Sequence, residues 1–310
     1  MLFRVVLLLS LSWSVWAQEA STAEAWLARM QEATQKSSYQ GVLVFGLNKR
    51  WDSLAVKHAF LDGQEYEQLS LLTRAPQEML RIGKQITCAH APHEAPHAAL
   101  KNPLQLTIPT TALPYKLLLG GQARIAGRTA QELLIQANDS DRYNMRLWLD
   151  SETALLLGIE LIDAQNHILE RAQYASIELN AALDKSAFHS QLPSHQQDEA
   201  PVVAEPVAPV SWQPSWLPVG FYSTFAKQQE RSVRLMYSDG IASFSLYVDD
   251  APEAVPTLRK QWGATTAILL QVQQGEERRR VTAVGELPAK TLEHIAVSVL
   301  PVTANIESAP

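Results

Sequence analysis

The sequence predicts an α+β protein of two domains, each built on an antiparallel sheet. Most apolar residues recur with a period of two, in short runs that end at turn residues such as Asp62-Gly63, which is typical of hairpin strands. Helical periodicity is clearest in two segments, 21–33 and 288–299. A proline-rich stretch between His189 and Pro218 separates the two parts, because it can form neither a helix nor a sheet ladder.

The first domain is expected to open with a helix and to continue as strands. Ser21 and Glu24 have the S-x-x-E spacing of a capping box. An apolar helix face follows at Trp26, Leu27, Met30 and Ala33. Strands are predicted at 39–45, 54–60, 66–72, 79–82, 85–88, 131–137, 143–149, 155–162 and 169–178. A short second helix is expected near residues 111–119.

The segment 143–162 carries more apolar surface than one sheet face needs. Tyr143, Met145, Leu147 and Leu149 alternate onto one face, and Trp148 points to the other. After the turn, three leucines follow one another at 155–157. A sheet that is apolar on both faces must be covered on both or must line a cavity.

The second domain is also predicted to be built from hairpin strands, and it is smaller than the first. A two-residue loop at Asp239-Gly240 is predicted to pair Leu235 with Phe244 and Val233 with Leu246. Another hairpin is expected at 268–273 and 280–286. Pro288 then opens a terminal helix, whose buried stripe consists of Leu292, Ile295, Ala296 and Val299.

The N-terminus has the features of a secretory signal peptide. Arg4 precedes an apolar run, and Val15-Trp16-Ala17 forms a small-residue cleavage site. The predicted division is a signal peptide (1–17), a first domain (18–190), a Pro-rich linker (191–211), a second domain (212–302) and a tail (303–310). The formal net charge of -6 argues against nucleic acid as a partner.

One motif suggests metal chemistry. His93-Glu94-Ala95-Pro96-His97 matches H-E-x-x-H, with Cys88 and His90 upstream. In zinc proteases a helix brings the two histidines to one metal. Pro96 lacks the required N–H and clashes with the preceding turn. We therefore expect a loop, no metal site, no cofactor and no catalytic residues; the protein is predicted not to be an enzyme.

Two further features are ambiguous. Cys88, which has no second cysteine to pair with, is interpreted as a small core residue. Arg278, Arg279 and Arg280 follow two glutamates in a hairpin turn. This run is either a solvated turn or a partner-docking patch.

The chain resembles the RseB/MucB family of periplasmic regulators of the extracytoplasmic stress sigma factor. Matching stretches in the first domain are AWLARMQEATQKSSYQGVLVF, RIAGRTAQELLI, RLWLDSETALLLGIELID and NHILERAQYASIEL. Those in the second are WLPVGF, YSDGIASFSLYV, WGA and VTAVGELPAKTLEHIAVSV. The family usually has Gly after the Thr of the W-L-D-x-x-T turn, where this chain has Ala154, and its 90–99 loop is not usually rich in His and Pro.

This resemblance implies a half-open antiparallel β-barrel covered by helices, like that of the lipoprotein carriers, followed by a smaller α+β domain. It implies a periplasmic negative regulator that binds the periplasmic region of a membrane anti-sigma factor and shields it from site-one proteolysis. Lipopolysaccharide or lipoprotein acyl chains relieve that block, with Tyr143, Met145, Leu147 and Leu149 as the lipid-cavity wall. The basic run 278–280 is the candidate partner contact, and homo-oligomerisation is left open. The alternative is a periplasmic lipoprotein or lipid carrier.

Overall fold

The computed structural model describes residues 22–47, 50–73, 75–90, 102–106, 108, 114–190, 192, 208–251 and 253–302. The predicted signal peptide, residues 193–207 of the predicted linker and the H-E-x-x-H segment lie outside these ranges. The signal peptide and the extended spacer therefore stay predictions. Residues 208–211 already run beside the second domain, since Ser211 donates to the side chain of Gln228.

The first domain contains one helix and a sheet of ten antiparallel strands. Helix α1 spans Ala23–Lys36. The strands are β1 (Tyr39–Leu47), β2 (Arg50–Leu61), β3 (Gln64–Leu71), β4 (Glu78–Ile82), β5 (Gln85–His90), β6 (Tyr115–Ile125), β7 (Arg128–Ala137), β8 (Asn144–Asp150), β9 (Leu156–Ile162) and β10 (Ile168–Leu179). Their order in the sheet is β5-β4-β3-β2-β1-β10-β9-β8-β7-β6. A short 3-10 helix, Lys185–Ala187, follows.

The sheet curves around helix α1. The helix contacts β2 on one side and β6 and β7 on the other, although β2 and β7 are five steps apart in the sheet order. At about 4.8 Å per step, a flat sheet would hold those strands roughly 24 Å apart, whereas a helix is only about 10–12 Å across. The sheet is therefore a half-open barrel with free edges at β5 and β6, as expected.

The buried face of α1 is the predicted one. Trp26, Leu27, Met30 and Ala33 are all at most 7% exposed and belong to the first-domain core. The helix begins later than the predicted capping box, because Thr22 is the N-cap residue and its hydroxyl accepts from the amide of Ala25.

The second domain has a six-stranded antiparallel sheet and one helix. Its strands are β11 (Trp212–Pro214), β12 (Tyr222–Gln228), β13 (Ser232–Ser238), β14 (Ser243–Asp250), β15 (Leu258–Trp262), β16 (Thr265–Gln274), β17 (Glu277–Gly285) and β18 (Val299–Pro301). The sheet order is β12-β13-β14-β17-β16-β15, and β11 pairs separately with β18. Helix α2, Ala289–Val297, packs on β16 and β17. All four residues of the predicted stripe are fully buried, but only Leu292, Ile295 and Ala296 belong to the helix, whereas Val299 belongs to β18.

Two local predictions were wrong. Residues 115–119 belong to strand β6 rather than to a short helix, and residues 109–113 lie outside the described chain. The β13–β14 connection is also longer than expected, so Leu235 faces Leu246 instead of Phe244. The reason is that Asp239 turns its carboxylate onto the amides of Ile241 and Ala242, which forms a four-residue loop.

No helix in the described ranges is long and apolar enough to cross a membrane.

Candidate functional site

The four predicted cavity residues lie in three different environments. Leu147 and Leu149 are fully buried in the packed core that includes α1. Met145 lines a cavity on the same side of the sheet. Tyr143 lies at the junction between the domains, where its hydroxyl donates to the carbonyl oxygen of Leu287 at 3.3 Å. Their role as lipid contacts stays a prediction, and Met145 is the one of the four that lines this cavity.

The W-L-D-x-x-T turn is stabilised by the contacts of a buried aspartate. Asp150 is 1% exposed and forms a 2.5 Å ion pair with Arg128. Its Oδ1 also accepts from the amide and the hydroxyl of Thr153, each at 2.9 Å. Burial alone raises the pKa of Asp150, but the hydrogen bonds from Arg128 and Thr153 outweigh burial and lower it. Ala154 then adopts φ 62°, the left-handed conformation that favours the family's glycine.

The cavity has a volume of about 510 Å³ and a mostly apolar wall. Strands β1, β10, β9 and β8 are neighbours and supply its floor. The apolar floor residues are Phe45, Ala172, Ile159, Leu161 and Met145. The segment 102–106 forms one rim. Ligand pockets in proteins are typically about 300–1,000 Å³ and apolar with a few polar groups, and this cavity fits that description.

The second domain closes another side of the cavity. Ile241, from the loop between β13 and β14, and Glu286, at the end of β17, both line it. Glu170 of the first domain lies at the same side and accepts from the amide of Ala264 at 2.8 Å. Burial raises the pKa of Glu170, and the nearby carboxylate of Glu286 adds to this shift. The cavity is therefore shared between the domains.

A buried ion pair joins the domains next to this cavity. Arg142 of the first domain donates to Oδ2 of Asp239 of the second at 2.8 Å, and neither side chain is exposed to solvent. The hydroxyl of Tyr115 donates to the same oxygen at 3.0 Å. Arg142 also donates to the carbonyl oxygen of Val219 at 2.8 Å and lies over the ring of Phe221.

The basic run lies at the other end of the second domain. Arg279 forms ion pairs with Asp250 and Glu277, and its guanidinium lies over the ring of Trp212. Arg280 pairs with Asp249 at 3.0 Å. Arg278 is exposed on β17, where it pairs with Gln273 next to the β16–β17 turn. Eight residue steps of extended chain separate Arg278 from Glu286, which corresponds to roughly 26 Å.

The H-E-x-x-H motif lies outside the residues that the structure describes. His93, Glu94 and His97 lie outside the described residues, as does the side chain of Cys88. Within the described ranges, no group of three or more His, Cys, Asp or Glu side chains could hold a metal ion. The expectation of no metal and no cofactor stays a prediction.

Comparison with known proteins identifies the family. Residues 22–192 match the MucB/RseB N-terminal domain, and residues 206–300 match the MucB/RseB C-terminal domain. The chain belongs to the MucB/RseB family.

Relatives in this family match the chain over nearly its whole length. The chain is 31% identical over 310 residues to the sigma factor AlgU regulatory protein MucB of Pseudomonas aeruginosa, covering 97% of this chain and 98% of that protein. It is 27% identical to the sigma-E factor regulatory protein RseB of Escherichia coli, covering 94% of each. The crystal structure of MucB in complex with MucA(peri) superposes with a TM-score of 0.76 at 30% identity, covering 91% of this chain and 100% of that one.

The sequence did not predict the residues of the domain junction, although the MucB/RseB-like stretches contain them. All four MucB/RseB-like stretches of the second domain contact the first domain. WLPVGF supplies the partners of Arg142, and YSDGIASFSLYV supplies Asp239 and Ile241. WGA supplies the amide bound by Glu170, and the VTAVGELP stretch supplies Glu286. These stretches come together at one interface only in the folded structure, so the sequence alone contains no signal for the junction.

Proposed function

We propose that this protein is a periplasmic negative regulator of an envelope-stress sigma factor. It binds the periplasmic region of a single-pass membrane anti-sigma factor and shields that region from site-one proteolysis. Lipopolysaccharide or lipoprotein acyl chains release the block. Its activity is binding rather than catalysis, and the predicted signal peptide accounts for its location.

The observation that carries the proposal is the match of both domains at once to MucB in a complex. The MucB of that structure holds MucA(peri) and is covered in full by this chain. A carrier would need only the first domain, whereas the second domain here is joined to the first through a buried ion pair and a shared cavity. This arrangement favours a regulator in which both domains act together.

The cavity at the domain junction supports the proposed binding of lipid. Its floor is apolar, its volume is about 510 Å³, and its lining also includes Asp52, Glu170, Glu286 and Arg171. A linear acyl chain suits such a floor, because each buried CH₂ contributes about 0.8 kcal/mol. The same cavity is the specific observation in favour of the alternative, a periplasmic lipid or lipoprotein carrier.

Two surfaces of the second domain are proposed partner contacts: the domain junction and the basic turn at Arg278. Arg279 and Arg280 are paired with acidic side chains of β14 and of the turn itself. The turn is therefore a mixed-charge surface on which Arg278 and Arg280 are exposed, and it suits an acidic segment of the partner. We expect Arg278→Glu to weaken partner binding by about tenfold if the turn is a contact, which corresponds to about 1.4 kcal/mol. Lys260→Glu on β15 is the matched charge reversal and should have little effect.

The deciding experiment is a pull-down with the full-length mature protein from an envelope extract. Recovery of a single-pass inner-membrane anti-sigma factor supports regulation, and recovery of outer-membrane lipoproteins supports carriage. The recovered anti-sigma periplasmic segment is then titrated against the protein with and without lipopolysaccharide. Binding that lipopolysaccharide weakens supports the proposal; a segment that does not bind, or does not gain protection from the site-one protease, contradicts it.

A further inference from the structure

The loop between β13 and β14 of the second domain is inserted into the first domain. Asp239 is inaccessible to solvent in its pair with Arg142. Ile241 packs against the first-domain core and forms part of the cavity wall together with Met145. We call residues 239–242 the hairpin tip.

The conformation of the hairpin tip is determined by its own hydrogen bonds. Oδ1 of Asp239 accepts from the amides of Ile241 at 2.9 Å and Ala242 at 2.8 Å. The hydroxyl of Ser238 donates to the carbonyl oxygen of Ala242, and it accepts from the amide of Gly240 at 2.9 Å. The tip therefore presents Ile241 to the cavity as a fixed side chain. One carboxylate serves both purposes, because Oδ1 shapes the tip and Oδ2 binds Arg142 and Tyr115.

We propose that the hairpin tip is a displaceable plug of the lipid cavity. Ile241 forms part of the cavity wall, and in this proposal an entering acyl chain takes the space of its side chain, moves the tip outward and separates Asp239 from Arg142. Lipid binding and docking of the second domain then oppose each other. This inference rests on the proposed lipid-binding function and adds the mechanism by which the second domain detects the lipid.

The ion pair between Arg142 and Asp239 is suited to a contact that a ligand can open. A buried ion pair contributes little net stability, because the cost of removing both charges from water offsets their attraction. When the domains separate, both charges regain water together, so opening leaves no unpaired charge behind. The pair therefore fixes where the tip docks without making the docked state too stable for a ligand to reverse. Linkage requires the converse effect: whatever loosens the tip must strengthen lipid binding by the same factor.

The test uses the full-length protein and the fluorescent acyl probe 11-(dansylamino)undecanoic acid. Ile241→Ala shortens the plug and should bind the probe about tenfold more tightly than the wild type. Asp239→Asn removes the buried counter-charge of Arg142 and leaves only the partly exposed Asp139, 3.2 Å away, beside it, so it should also tighten probe binding. The double variant Arg142→Gln, Asp239→Asn should return toward wild-type affinity, because no unpaired charge remains in the docked state. Met236→Ala, an exposed residue on the same hairpin, should leave affinity unchanged.

A second readout tests displacement directly. Adding the probe to the wild type should accelerate hydrogen exchange at the amides of Ile241 and Ala242. Competition with lipopolysaccharide in one arm and with a triacylated lipopeptide in another identifies which source of acyl chain removes the probe.

The outcomes separate this inference from the function on which it rests. Probe binding that is the same in Ile241→Ala and wild type, with no faster exchange at the tip, overturns the plug and leaves the lipid site in place. Failure of the wild type and of every variant to bind the probe overturns both.

Discussion

The two ends of the segment 143–150 follow one apolar alternation but lie in different surroundings. Leu147 and Leu149 are fully buried in the core that includes α1, whereas Met145, at 6% exposure in the same core, also lines a cavity, and Tyr143 contacts the second domain. Alternation tells which side chains share a face of a strand. What covers that face is decided by distant parts of the chain, here the helix at one end and the hairpin tip at the other. Packing and ligand binding can thus occupy adjacent positions of one strand.

The largest expected effect contrasts these two ends. Leu147→Ala should lower the free energy of unfolding by about 3–4 kcal/mol, because it leaves a void in a packed core. Met145→Ala should cost only about 1–2 kcal/mol, since its side chain already borders open space, and it should also weaken acyl-probe binding. Urea unfolding followed by circular dichroism measures the first quantity, and probe titration measures the second. Equal losses of stability would show that the two ends do not differ as described.

The next effect contrasts two ion pairs. Arg142→Gln leaves the carboxylate of Asp239 buried and unpaired, which should cost about 3 kcal/mol of docking free energy. Arg279→Gln removes an ion pair whose side chains are partly exposed. This change should lower the docking free energy by at most about 1 kcal/mol. Hydrogen exchange at the hairpin tip reports docking in both variants. Comparable exchange rates in the two variants would mean that the buried pair does not hold the junction.

Acid should loosen the cavity rim while the packed end keeps its structure. The carboxylate of Glu65 lies 3.0 Å from the ring of His58 and accepts from Arg81 at 2.9 Å and from Gln105 at 2.6 Å. Gln105 belongs to the rim, so Glu65 ties the rim to β3. Burial raises the pKa of Glu65, but His58 and Arg81 outweigh burial and lower it from 4.5 to about 2.

The sign of the pH effect follows from this shift. Because the pKa is lower in the folded state, the stability contributed by Glu65 is complete above about pH 4.5 and is lost as the pH falls toward 2. Amide exchange in the segment 102–106 should therefore accelerate over that range before exchange around Leu147 does. Glu65→Gln should lack the acid step. Simultaneous loss of protection in both regions of the wild type would contradict the assignment.

The smallest expected effect concerns the backbone conformation of a turn that lies outside the segment 143–150. Strands β6 and β7 are joined by Ala126 and Gly127 with φ of 48° and 78°, a turn in which Asn is preferred to Ala at the first position. Ala126→Asn should stabilise the protein by up to about 1 kcal/mol, or about 2–3 °C in Tm. Ala123→Asn, at an ordinary strand position, should give no gain. A fall in Tm for Ala126→Asn would mean that packing of the methyl group outweighs the turn preference.

Local patterns predicted much of the fold, and long-range contacts explain what they missed. The faces of α1 and α2 and the turn at Asp62-Gly63 followed from periodicity and turn chemistry, since Asp62 and Gly63 both have positive φ. Strand β6 was missed because its exposed Leu118 and Leu119 break alternation at a sheet edge. The junction could not be predicted, because Arg142 and Asp239 look like ordinary surface charges until the fold brings them together. Their burial depends on residues nearly a hundred positions apart in the chain.

Because Arg142 and Asp239 are both inaccessible, dissolved ions do not reach the space between them. Screening in water changes greatly with salt, from a Debye length of about 30 Å at 0.01 M to about 3 Å at 1 M. The attraction between Arg279 and Asp250, which are partly exposed, should weaken over that range. Docking of the two domains should not. In a medium of changing salinity the protein should then keep the arrangement of its two domains constant, while any contact made through its basic turn should vary with the salt concentration.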